Sequence, residues 1–298
     1  MNGFTPPTME LPLLSLGRGQ TGPFVLRRPT AHPCPLVFAS PHSGRAYPIS
    51  FLSAARLDPL ALRRSEDSFV DELFAAAPAH GAPLLAATFP RAYCDPNREA
   101  WELDPDMFAE PLPLWVNTRS PRAAAGLGTV PRVVASGEHI YRNKLTFDEA
   151  AARVRQCWEP FHAALAGLLG ETRARFGKCL LIDCHSMPSA AGRSGRPADF
   201  VLGDAHGTAC AGRIVQLLEQ ALGDLGYRVR RNDPYSGGYI TRHYGVPREG
   251  IHAVQLEIAR GLYMDERRIE PSCGFASLQR DLGQLMGVLG VGCQRAFG

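Results

Sequence analysis

At 298 residues the chain is long enough to bury a large core within a single α/β domain. Its 45% hydrophobic and 20% charged residues exclude the disordered and fibrous classes, and a net charge of +3 is too small for a nucleic-acid footprint. Residues 1–20 show no cationic stretch followed by an apolar one, and no apolar run reaches the roughly 18 to 20 residues that cross a bilayer. A cytoplasmic location with no membrane partner is therefore expected.

In chain order, residues 1–33 are rich in Pro and Gly and read as an extended lead-in to one domain over 34–298. Residues 35–40 (PLVFAS) form an apolar run suited to a buried strand, and it ends at the motif PHSG, residues 41–44. Residues 65–80 have helical spacing, with Phe69, Leu73, Phe74 and Ala77 on one face and acids in the first turn. Residues 83–89 are a second strand candidate leading into RAYCDPNR at 91–98. From 101 to 141 the chain is irregular and rich in Pro and Gly, and so long a connection usually covers a binding site or is mobile. Thr146 and Glu149 have the spacing of a capping box, opening a long amphipathic helix to about residue 176. Residues 178–183 are the best strand in the chain, running into Cys184, His185 and Ser186. A helix over 205–225, strands over 227–231 and 252–258, and a closing helix over 275–297 complete the pattern. Strands alternating with helices predict an α/β layered fold with a largely parallel sheet, in which ligands bind beyond the carboxyl ends of strands. His42, the 91–98 motif and His185 all fall at such ends.

Two compositional features limit what single residues say. Only Lys144 and Lys178 are lysines among 32 basic residues, so an arginine is weak evidence of function on its own. The eight cysteines contain no CxxC pair and are expected to be reduced, mostly buried thiols. No GxSxG elbow marks a serine hydrolase, and neither GxGxxG nor GxxxxGK[ST] occurs in a nucleotide-binding context.

A catalytic zinc site needs about three ligands from His, Asp, Glu or Cys and an open position for water. Of nine histidines, His42 and His185 have the most ligand-like setting: each follows an apolar strand and precedes a serine. A carboxylate at a helix start near His42 would complete the set, and Glu66, Asp67 and Asp71 compete for that place. All three also suit the first turn of a helix for macrodipole reasons alone. The HExxH and HxxE spacings are absent. Glu257, inside the apolar run AVQLEI, is the candidate general base, because a carboxylate is costly to bury without a purpose.

Taken together, PHSG at 41–44, EDSFVDEL at 66–73, RAYCDPNR at 91–98, GLGTVP at 126–131, DCHSMP at 183–188, GGYITR at 237–242 with Tyr244 and Gly245, and QLEI at 255–258 resemble the N-formylglutamate amidohydrolase family. The pieces follow the family order over about residues 35–265. The resemblance implies a zinc-peptidase-like α/β fold, a three-layer sandwich around a mixed, largely parallel sheet. It implies one zinc per chain, or another divalent ion, held by His42, Asp67 and His185, with Glu66 the alternative acid. Arg45 stands where the peptidase pattern HxxE puts its glutamate. By the same likeness Glu257 activates water, Asn97 and Arg98 grip a substrate carboxylate with Arg91 beside them, and Arg242 is a second clamp. Gly238 lets backbone approach the ligand, and Tyr239 is a polar lid residue or packs its ring. The implied reaction is hydrolysis of N-formyl-L-glutamate to formate and L-glutamate, a step of histidine degradation. The alternatives are a related deacylase or carboxypeptidase acting on another acyl-amino acid or short peptide, and a non-catalytic anion-binding protein. The expected partner is a small anionic acyl-amino acid.

Overall fold

The computed structural model describes residues 22–189 and 197–297. Of the expected lead-in, residues 1–21 lie outside the described residues, and Phe24–Arg27 is an edge strand, β1, of the main sheet. The other strands are β2 (Leu36–Ser40), β3 (Leu84–Ala87), β4 (Cys179–Met187), β5 (Phe200–Gly203), β6 (Val229–Arg231) and β7 (Ile251–Ala259). Their order across the sheet is β1-β3-β2-β4-β7-β5-β6. The central strands β3, β2, β4 and β7 run parallel; β1 is antiparallel to β3, and β5 is antiparallel to β7 while parallel to β6. The mixed, largely parallel sheet is therefore present, with reversals toward both edges.

Strand alternation builds two cores, one on each face. On one face Leu36 and Phe38 of β2, Leu180, Ile182 and Cys184 of β4, and Val254, Leu256 and Ile258 of β7 pack beneath the helices Gly212–Asp224 and Phe275–Ala296. On the other, Val37 and Ala39, Cys179 and Leu181, and Ala253 meet Phe161, Leu165, Leu168 and Leu169 of the helix Glu159–Phe176. Side chains two apart on a strand share a face. The second face therefore continues as Asp183 and His185 on β4 and as Gln255 and Glu257 on β7. Register sets these polar residues directly opposite each other, Asp183 against Gln255 and His185 against Glu257. Beyond the reach of the packed helix, this face changes from apolar to ionisable, and that change marks the site.

Several element boundaries differ from the sequence pattern for local reasons. The helix expected over 65–80 reduces to one turn, Val70–Leu73, and a 3₁₀ turn, Ala77–His80. Phe69 adopts a left-handed backbone (φ 67°), which cannot propagate a right-handed helix backward toward Asp67. The long helix opens on the expected Thr146/Glu149 capping box. It then passes through a wide π turn at Val154–Trp158, just before Pro160, which lacks the N–H that would continue the ladder. The helix expected from 205 begins at Gly212, because Ala205 and His206 have positive φ. The irregular segment 101–141 folds around its own small core of Leu103, Met107, Phe108, Val116 and Val130, joined by Leu145 and Ala150. All eight cysteines are free thiols, and every one except Cys273 is buried. No helix among the described residues is long and apolar enough to cross a membrane.

Candidate active site

His42 leaves the end of β2, His185 lies inside β4, and Asp67 is placed between them by its backbone N–H, which donates to the His42 carbonyl at 3.0 Å. The Nδ1 atoms of both imidazoles face one oxygen of Asp67: Oδ2 is 3.3 Å from His42 and 3.0 Å from His185. The two rings lie 4.8 Å apart, centroid to centroid, and all three side chains are buried. One ligand atom from each falls within 4.8 Å of the others, a spacing a single cation can bridge. The far nitrogens are occupied by further carboxylates. His42 Nε2 meets Asp95 Oδ1 at 2.7 Å, and His185 Nε2 lies 2.9 Å from Asp183 Oδ1, a close charge contact. An acid hydrogen-bonded behind a histidine, as Asp95 is behind His42, fixes ring orientation and leaves Nδ1 as the ligating atom.

Asp67 is oriented with equal care. Its second oxygen, Oδ1, accepts from Ser186 Oγ at 3.2 Å and from Arg260 at 3.2 Å, so Oδ2 alone is turned toward the histidines. Arg260 is itself anchored through donation to the Glu66 carbonyl (2.7 Å) and to Ser186 Oγ (3.1 Å). Burial works to raise the pKa of Asp67 and of Asp95. Hydrogen bonds from His185 and His42 on the first, and Arg91 and His42 beside the second, hold both well below the usual carboxylate range. For His185 burial works downward, and Asp183 and Asp67 outweigh it, holding the imidazole well above its ordinary value.

The other acids considered for the third ligand point elsewhere. Glu66 is buried in a network with Tyr47 (2.7 Å), Ser68 (2.8 Å) and Arg63 (3.2 Å). Asp71 faces Arg45 at 3.6 Å in a separate hollow.

The cluster forms the floor of a cavity of about 390 Å³, the size of a small-molecule site. Glu257 is on this floor, buried, with Gln255 Nε2 donating to its Oε1 at 2.7 Å. Burial lifts its carboxyl to about 7, against the opposing influence of His185. Gln255 in turn accepts from the Gly238 N–H at 2.6 Å. Asn97 is held by its own N–H on Asp95 (2.8 Å) and by accepting from the Ile240 N–H (2.8 Å), with its amide nitrogen 3.3 Å from His185 Nε2. A Cβ on Gly238 would stand 2.3 Å from that amide nitrogen, so glycine is required for this close approach. Arg91, bonded to Asp95 at 2.8 Å, Arg98 and Arg242 also line the cavity. Tyr239 does not. Its ring stacks on His243, 4.8 Å away with planes 14° apart, at the start of the helix Tyr239–Tyr244.

A match to the family model for N-formylglutamate amidohydrolase spans residues 34–264, most of the chain and the whole of this site. The chain belongs to the N-formylglutamate amidohydrolase family. N-formylglutamate deformylase of Pseudomonas aeruginosa is 32% identical over 239 residues, covering 78% of this chain and 83% of that protein. The Pseudomonas putida N-formylglutamate deformylase is 32% identical over 240 residues, covering 78% and 82%. A solved N-formylglutamate amidohydrolase from Ralstonia eutropha superposes with a TM-score of 0.87 at 41% identity, over 92% of this chain and 99% of that one. A gene product of Agrobacterium tumefaciens, 18% identical with a TM-score of 0.65 over 91% and 96% of the two chains, shares the fold.

Several residues of this amidohydrolase site escape a reading of the sequence. Asp183 had a usable signal, since it stands two residues before His185 on one strand and must share its face. Asp95 lies within the 91–98 motif but carries no mark separating it from a turn residue. Arg260 and Arg122, which also line the cavity, are lost among thirty arginines.

Proposed function

We propose that the chain is a metal-dependent amidohydrolase that cleaves the C–N bond of N-formyl-L-glutamate, releasing formate and L-glutamate, a step of histidine degradation. The observation that carries this reading is the convergence of two imidazole Nδ1 atoms and one carboxylate oxygen beside a buried carboxyl, in a cavity walled by arginines. The donor set fits a divalent cation: two neutral-type nitrogen ligands and one monodentate acid, each held from behind, is a zinc-like combination. His42, Asp67 and His185 would hold it. When bound, such a cation polarises the amide carbonyl and lowers the pKa of water toward about 7.

The remaining work falls to the chain's own groups. Glu257 takes the proton of the attacking water as the new C–O bond forms, and returns it to the amide nitrogen as the C–N bond breaks. A buried carboxyl on the cavity floor can accept the proton and then donate it, which suits one group for both transfers. Gln255 fixes the Glu257 carboxylate, and Arg91 supplies positive charge toward the oxygen on which negative charge develops. Asn97 and Arg98 bind a substrate carboxylate, for which a planar guanidinium offers two parallel charge-assisted bonds. Ser186 and Arg260 keep Asp67 in its single-oxygen orientation.

The test measures formate release from N-formyl-L-glutamate by protein whose zinc content has been determined. About one zinc per chain, with turnover abolished by chelation and restored by zinc, is expected. Stoichiometric metal with no formate released would remove the substrate assignment.

A further inference from the structure

Five arginines line the cavity, and they are not equivalent. Arg91 is paired with Asp95 and Arg260 with Asp67, so both are committed to the floor. Arg98 spends two donors on backbone carbonyls, those of Leu127 (2.9 Å) and Asn97 (2.8 Å). Arg242 reaches the Ser236 hydroxyl at 3.2 Å. Arg122 is exposed at the cavity wall, and among the described residues no carboxylate stands within ion-pair distance of Arg98, Arg122 or Arg242. The lining acids Asp67, Asp95 and Glu257 gather at the floor. The cavity is thus acidic beneath and cationic above.

Arg122 sits on a short helix, Pro121–Ala124, that is firmly placed. Ser120 caps it by accepting from the Ala123 N–H at 2.9 Å and donates to Glu102, and Ala123 is fully buried. The Leu127 N–H donates to the Arg122 carbonyl at 2.9 Å, while the Leu127 carbonyl accepts from Arg98. The turn that carries Arg122 is therefore tied directly to Arg98. Arg98 has its pKa lowered, first by burial and then, against the support of Asp95, by Arg91 and Arg122. An anion between Arg98 and Arg122 would relieve that repulsion.

We infer that Arg122, on the 101–141 cover segment, is a specificity-determining residue that binds the side-chain carboxylate of the acyl-amino acid, so the enzyme selects substrates with two carboxylates. Burial gives the order, since Arg98 is half-buried next to Asn97 and Arg122 is exposed. In such a substrate the α-carboxylate is next to the scissile amide and reaches Arg98, beside Asn97 and His185. The second carboxylate lies farther from the amide and meets Arg122 at the wall, with Arg242 available to the same group. The inference rests on the amidohydrolase reading and extends it to the choice of side chain.

The test compares kcat/KM for N-formyl-L-glutamate with that for its neutral isostere N-formyl-L-glutamine in the wild type, R122M and R122K, all loaded with zinc. R122M is expected to lose about 10- to 100-fold on the glutamate substrate, mainly through KM, and to change little on the glutamine one. R122K should recover part of the loss. Arg122 is exposed, so all three proteins should show the same unfolding midpoint. An unchanged glutamate-to-glutamine ratio in R122M, with wild-type activity present, overturns the role of Arg122 alone. A wild type that hydrolyses neither compound overturns the amidohydrolase reading and this inference with it.

Discussion

Glu257 and His185 face each other across the β4–β7 ladder, and each takes its character from what is buried beside it. His185 is surrounded by acids, whereas Glu257 has lost water and, among the described residues, gained only Gln255 as a hydrogen-bond donor. Replacing Glu257 with Gln keeps the size and the bond to Gln255 but removes the proton acceptor. We expect kcat to fall about 10²- to 10⁴-fold while zinc content stays near one per chain. Metal analysis alongside steady-state kinetics checks both halves, and retention of full turnover would remove Glu257 as the base. The choice among neighbouring acids is also decided at this scale. Glu66 and Asp67 adjoin in the chain yet diverge in space, one toward Tyr47 and Arg63, the other toward the histidines. Composition and spacing describe the two alike; only side-chain direction separates them.

At the scale of elements, the strands bring the ionisable groups together and a loop–helix junction completes the wall. Asn97 caps the helix Tyr239–Tyr244 through the Ile240 N–H, and Gly238 passes close over its amide. Substituting Gly238 with Ala would push a methyl group into Asn97, a contact too short to persist. We expect a destabilisation of about 1–3 kcal/mol together with a loss of kcat/KM, read from urea unfolding and substrate kinetics. Wild-type values of both would show that this approach is not required. β4 also runs farther than its apolar stretch, ending at Met187 instead of Asp183. A reading based on hydrophobicity stops where the polar residues begin, although the β7 ladder continues pairing through them.

Across the whole molecule, the helix Glu159–Phe176 is locked to the site-bearing loop by His162. Its Nε2 donates to the Pro96 carbonyl at 2.8 Å, and its Nδ1 lies 2.8 Å from the Tyr244 hydroxyl, which also reaches the His162 carbonyl at 3.3 Å. Burial depresses its pKa to about 4, further aided by His243 and opposed by the bond to Pro96. An unfolded histidine titrates near 6.5. Between these values the unfolded chain binds a proton that the native one excludes, so stability falls as pH drops through the window and rises with pH. His162→Gln removes this contribution. The stability advantage of wild type over the variant should therefore shrink by about 2 kcal/mol between pH 7 and pH 5. Urea unfolding of both proteins at the two pH values measures this, and a constant gap would contradict the neutral, buried assignment.

The sequence by itself determined the apolar strands, the capping box at Thr146, the α/β layering and the two histidines, because these are written in local periodicity and in residue type next to an apolar run. Tertiary structure alone decided that Asp67 is the acid facing both imidazoles, that Asp95 and Asp183 stand behind them, and which five of thirty arginines reach the cavity. It also stacked Tyr239 on His243, outside the cavity lining, and made Phe24–Arg27 part of the sheet. The physical reason is one of range. Backbone preference and hydrophobic alternation act within a few residues, whereas Asp67 and His185 meet across 118 positions, and such contacts depend on side-chain directions that only the assembled sheet defines.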